Sequence, residues 1–313
     1  MDLIGLSNYI VFSLTFASIY AVLCLGLNIH WGYTGMLNIA IAAFFAVGAY
    51  TGAILTTPET DSHMGGFGLP FPIAWLAAMI VSALLAIAIG TITVGLRADY
   101  LAIASIGLSE IVRLILKNEG DWTNGVRGIP SIPKPFAEIV PGVWIDYTTL
   151  ILYVLVVVGV IFLIQRAYIS PWGRVIRAIR ESEPAVAAAG KNIRSFRLQA
   201  FVFGAAIMGL AGAMYGQFVG FISPEAFEPL FATFLVWVML IAGGSGNNYG
   251  AVLGAVVIWG IWAGSEFVTS ALPNDWATRA AYIRLFIIGF ALQVILLRRP
   301  EGILPEKALK PVV

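Results

Sequence analysis

The chain alternates long apolar runs with short polar or glycine-rich breaks. Nine such runs occur, at 9–29, 39–55, 72–94, 100–116, 148–165, 199–222, 229–242, 250–271 and 280–297. A helix needs roughly 20 apolar residues to cross the hydrocarbon core, and most of these runs supply them. The pattern predicts an all-α integral membrane protein, a polytopic helical bundle forming one domain over 1–313. The run 229–242 is short for a span, so eight or nine crossings stay open. The eight-span version makes a glycine-interrupted segment re-entrant, which is allowed only where protein or water covers its backbone.

One stretch interrupts the apolar pattern. RAYISPWGRVIRAIRESEPAVAAAGKNIRSFR carries seven basic residues: Arg166, Arg174, Arg177, Arg180, Lys191, Arg194 and Arg197. A segment so charged stays out of hydrocarbon, and an excess of Lys and Arg in a short loop marks the cytoplasmic side. The segment 166–198 is therefore expected in the cytoplasm, with the basic tail RRPEGILPEKALK. Nine crossings then put the N-terminus outside and the C-terminus inside. Two short helices are expected within the segment. Pro171 opens the first, over 172–181, with Arg174, Arg177 and Arg180 on related faces. Pro184 suits the first turn of a second, over 184–189, and Gly190 is a natural left-handed stop. The second helix, AVAAA, is too apolar for free solution and too short to span. Docking to a cytoplasmic partner is favoured over a place on the membrane surface.

Glycine-rich breaks occur twice in similar surroundings, in LGLNIHWGYTGMLNIAIAAFFAVGAYTGA and MLIAGGSGNNYGAVLGAVVIWG, and read as an internal repeat. Paired, glycine-interrupted segments point to a transport site. Gly and Ala also let helices pack closely, and that accounts for most of these glycines. The candidate pathway residues are Gly32, Tyr33, Gly35, Asn38, Gly243, Gly244, Gly246 and Asn247. In the fourth run Glu110 and Arg113 share a helical face near its outer end. They are expected to form an intramembrane ion pair, structural or lining a gate.

Composition sharpens the class. Hydrophobic residues make up 59% and charged residues 11%, against about one quarter charged in a soluble domain. Nine Trp and eleven Tyr suit two water–lipid interfaces. The N-terminus lacks the basic stretch and cleavage site of a secretory signal, so the first run is expected to remain as a span. Cys24 lies alone in an apolar run and implies neither disulfide nor metal. His30 and His63 have no metal-ligand spacing. No G-x-x-x-x-G-K-[ST] loop occurs, and GSGNNYG has the wrong spacing for a dinucleotide turn. No catalytic residue, metal or cofactor is expected, and nothing supports nucleic-acid binding. If ATP drives this chain, another subunit hydrolyses it.

WGYTGMLNIAIAAFFAVGAY, LRADYLAIASIGLSEIVRLIL, GRVIRAIRESEPAVAAAGKNI, FVFGAAIMGLAGAMYGQFVGFISPEAF, AGGSGNNYGAVLGA and RRPEGIL occur in this order along the chain. Together they resemble the LivM-like permeases of branched-chain amino acid ABC importers. The loops 58–71 and 130–146 look particular to this chain. The resemblance implies a bacterial inner-membrane permease. Its implied partners are a LivH-like second permease, LivG- and LivF-like cytoplasmic ATPases and a periplasmic substrate-binding protein. It further implies that Gly173, Arg174, Ala178, Arg180, Glu181, Ala189 and Gly190, with Arg177 among them, form the ATPase-coupling region. Leucine, isoleucine and valine are the implied substrates, with other amino acids, urea or short amides as alternatives. A stand-alone secondary transporter would be expected to carry a coupling carboxylate deep in a span. Glu110 and Glu266 instead sit toward the ends of their runs. A scaffold without transport fits the paired breaks least.

Overall fold

A computed structural model describes residues 3–306 except 61–62, 141, 143 and 271–276. Each of the nine apolar runs is a helix. Helix α1 (Leu3–Leu27) continues into a wider π-helical turn (Asn28–Tyr33). Then come α2 (Ile41–Thr56), α3 (Phe71–Thr93), α4 (Ala98–Asn118) and the single turn α5 (Gly120–Thr123). Helix α6 (Trp144–Ile169) leads into two short helices, α7 (Pro171–Glu181) and α8 (Glu183–Ala188). The chain ends with α9 (Ile193–Val219), α10 (Pro229–Gly243), α11 (Asn248–Ser270) and α12 (Ala277–Arg298).

Among the described residues five segments are long and apolar enough to cross a membrane: Gly5–Tyr33, Phe71–Thr93, Trp144–Ile169, Ile193–Val219 and Asn248–Glu266. Helices α2 and α10, of 16 and 15 residues, measure about 24 and 22 Å at 1.5 Å per residue. Both fall short of a hydrocarbon layer of about 30 Å. Helix α4 has the length but carries Asp99, Glu110, Arg113 and Lys117.

The connections sort onto two ends. At one, the basic end, the Arg194 guanidinium donates to the Thr91 carbonyl. There Asn247 Nδ2 donates to the carbonyls of Leu304 and Pro305. At the opposite end Met64 N donates to Asp121 O at 2.7 Å, and Ile129 forms an antiparallel bridge with Ile222. Lys134 pairs with Asp146 there at 2.7 Å. Among the described connections this sorting matches an alternating path from α2 to α11.

The core gathers around α9, which packs on α2 and α3. A Cβ on Gly48 would collide with the Gly209 carbonyl, and one on Gly212 with the Phe45 carbonyl. Backbones this close leave no room for side chains, the small-residue packing of membrane helices. Buried polar groups are paired against α9: Trp75 Nε1 of α3 donates to Gln217 Oε1 at 2.8 Å, and the Tyr153 hydroxyl of α6 to Met214 O at 2.6 Å.

Gly48→Val should lower the thermal midpoint of the detergent-solubilised protein, since overpacking costs about 1–3 kcal/mol. Gly159→Val, on an open face of α6 with nothing near its added carbons, should leave that midpoint unchanged.

Candidate functional site

The first glycine-rich break is an unwound segment, residues 34–40, between the π turn and α2. It lies inside the protein. Ile39 N donates to Ser105 Oγ at 2.9 Å, and Ser105 stands roughly 10 Å along α4 from Ala98. Thr233 Oγ1 of α10 donates to Ile39 O at 3.1 Å. Asn38 Oδ1 accepts from Ala40 N at 2.9 Å, and Asn38 Nδ2 donates to His30 Nδ1 at 3.0 Å. His30 Nε2 in turn faces Phe201 O at 2.8 Å. An amide N–H can only donate and a carbonyl can only accept, so His30 is neutral with its proton on Nε2. Its ring stacks on Phe201 at 4.9 Å. A main chain that leaves its helix at this depth survives because these side chains replace the missing ladder.

The second break is a tight turn, 244–247, at the basic end. It meets the π-helical turn that leads into the first break. Asn28 Oδ1 accepts from Gly246 N at 2.8 Å, and Asn28 Nδ2 donates to Asn248 Oδ1 at 3.1 Å. The Tyr33 hydroxyl donates to the same Asn248 oxygen at 2.7 Å. A Cβ on Gly32 would come within 2.6 Å of Gly246 N. The candidate pathway residues Gly32, Tyr33, Gly246 and Asn247 are therefore brought together. Asn38 lies deeper, with His30. Gly243 packs against Gly250 and Gly254, while Gly244 lies against Leu304. The breaks face one another but differ in form, one unwound over seven residues and one a turn.

The basic segment forms the two short helices, α7 capped by the Ser170 hydroxyl, which accepts from Gly173 N at 3.4 Å. Gly190 takes φ +73°, the left-handed conformation that ends α8. The predicted coupling residues divide between two faces. Gly173, Ile176 and Ile179 are buried against the bundle. Arg177 lies over the Tyr168 ring at 4.2 Å. Arg180 donates to the Gly32 carbonyl and pairs with Glu306 at 2.9 Å. The other face is a groove of about 550 Å³, lined by Arg174, Ala178, Glu181, Ala185 and Ala189 among others. One face of α7 thus holds the first break, and the other is open.

At the opposite end Arg113 pairs with Glu110 at 2.5 Å and with Glu225 at 3.3 Å, and Lys117 reaches Glu225 at 2.7 Å. The i, i+3 pair belongs to a chain of four charges that joins α4 to the loop before α10. The Lys117 hydrogen bond holds the Glu225 carboxyl below its usual range. Among the described residues no group of three His, Cys, Asp or Glu could hold a metal.

The sequence model of a family described as a branched-chain amino acid transport system permease component matches residues 9–296. The chain belongs to this family. It is 32% identical to the high-affinity branched-chain amino acid transport permease LivM of Escherichia coli, over 93% of this chain and 69% of that one. It is 28% identical to a probable LivM of Methanocaldococcus jannaschii, over 93% and 92%. The LivH permease of Salmonella typhimurium is 24% identical over 92% and 94%. No solved structure matches. The chain is a multi-pass membrane permease.

Asn28, Ser105 and Thr233 carry the site but were not among the sequence candidates, and His30 was weighed only as a metal ligand. Asn28 and His30 are fully buried in an otherwise apolar run, and that combination is the signal that could have found them. Asn248→Leu leaves the Asn28 amide and the Tyr33 hydroxyl without their acceptor, at about 1–3 kcal/mol for each. Its thermal midpoint should fall. A cycle with Asn28→Leu should be clearly non-additive, because both changes remove the same bond.

Proposed function

We propose that this permease is the transmembrane subunit of an ATP-driven importer of branched-chain amino acids. The basic end is cytoplasmic in this reading, and the membrane is the bacterial inner membrane. Separate LivG- and LivF-like ATPases dock on α7 and α8, a LivH-like permease completes the transmembrane core, and a periplasmic binding protein delivers the substrate. The chain has no ATPase site of its own.

The observation that carries this reading is the two-faced α7. Its open groove offers an apolar floor with Arg174, Glu181 and Lys191 at hand, the mixed character of a protein-docking surface. Its inner face is fastened to the first break through Arg180. Closure of two ATPases presses on the groove. Arg180 passes that displacement to the Gly32 carbonyl and so to the clasp between the breaks. The breaks form the inner closure of the pathway, and loosening the clasp opens it. The Glu110–Arg113 pair stays a structural tie at the outer end.

ATP-dependent uptake of labelled leucine by proteoliposomes holding all five kinds of subunit tests the assignment; uptake without ATP, or with this chain alone, would refute it. Gly190→Val places a β-branched residue at φ +73°. It should insert normally yet hydrolyse ATP without transport, and undiminished uptake would count against the coupling role. Arg180→Ala should likewise lower uptake more than ATP hydrolysis.

A further inference from the structure

A cavity of about 240 Å³ opens at the end of the bundle opposite the basic segment. Four helices wall it: Tyr20 from α1, Phe45 from α2, Tyr215 from α9 and Ala232 from α10. Glu225 and Glu228 stand at its rim. It is too small for a drug-sized ligand and suits one small metabolite.

Its polar groups are unusual for so enclosed a place. Tyr20 is only 8% exposed, held by stacking on Trp259 at 4.9 Å. Tyr215 is packed between Phe45 at 5.2 Å and Phe227 at 5.9 Å. Neither hydroxyl has a hydrogen-bond partner among the described residues. Neither is shut away from solvent, so each lines the cavity with its hydrogen-bonding capacity free for a ligand. Glu225 is tied to Lys117 and Arg113, whereas Glu228 feels the Arg113 charge without a salt bridge to it among the described residues.

We infer that this cavity is the reception site for the permease's substrate and that it takes a zwitterionic amino acid with a short aliphatic side chain. Glu228 meets the ammonium group, the hydroxyls of Tyr20 and Tyr215 meet the carboxylate, and Phe45 with Ala232 packs against the aliphatic part. Urea and simple amides lack the charge that Glu228 answers and the hydrocarbon that Phe45 covers. The inference rests on the importer reading and extends it by naming a site and excluding the uncharged substrates.

Ala226 lies at the rim and is exposed, and the one native cysteine, Cys24, is buried. Ala226→Cys in the complete transporter, reconstituted in vesicles, gives a thiol that a membrane-impermeant maleimide labels from outside. L-leucine should slow that labelling roughly tenfold once it exceeds its dissociation constant tenfold, while urea and 4-methylpentanoate, which lacks the ammonium, should not. Adding Glu228→Gln should weaken the protection about tenfold or more, the worth of one charge-assisted hydrogen bond, and Tyr20→Phe should weaken it less. Equal labelling with and without leucine, in vesicles that take up leucine with ATP, overturns the site alone. Protection by urea as strong as by leucine overturns the ligand class. If Ala226→Cys does not assemble, leucine uptake by the Glu228→Gln and Tyr20→Phe transporters decides, and a half-saturating concentration unchanged in both overturns the site. An unsubstituted transporter that takes up no branched-chain amino acid overturns the importer reading and this inference with it.

Discussion

A backbone that leaves its helix inside apolar surroundings must have its N–H and C=O groups answered by protein. Residues 34–40 are such a backbone, and much of the fold can be traced to how they are answered. Ser105 fixes α4 beside them, Thr233 fixes the start of α10, and Asn38 with His30 fixes the end of α1 against α9. Helix α2 can be as short as 16 residues because it begins within the bundle. The glycines of α9 then let it lie directly on α2. Removing Ser105 or Thr233 leaves a main-chain group of Ile39 without its partner.

The same break links the two ends of the molecule. On the basic side its Gly35 lies beneath Arg180, and Gly32 in the turn before it lies against the turn at 244–247. On the other side α2 runs from the break to the cavity, where Phe45 is one wall. A shift of the break is therefore a shift of α2, whose Phe45 lines the cavity.

The helices were legible because an apolar run in a membrane protein is itself the signal, and each of the nine runs became one helix. The short helices α7 and α8 were legible from Pro171, Pro184 and Gly190, and their bounds moved by one residue. The two breaks were visible as glycine clusters. That they touch was not, because Asn28 and Asn248 are 220 residues apart and nothing local marks the pair. The division of the arginines was hidden for a related reason. Spacing put Arg174, Arg177 and Arg180 on related faces, but only the packed structure separates the outward Arg174 from Arg180, whose partners are Gly32 and Glu306. The cavity was invisible, since single tyrosines in apolar helices read as interface anchors or packing.

The segment after α12 gives this fold a particular order of assembly. Ile303 and Leu304 donate to the carbonyls of Ala242 and Gly243 at 2.9 Å, Asn247 holds the chain beyond them, and Glu306 reaches Arg180. During synthesis these residues leave the ribosome after every helix they fasten. Until then α10 lacks its C-terminal cap and Arg180 its counter-charge. The surface formed by α7 and α8 thus acquires this support only after α12 has been made.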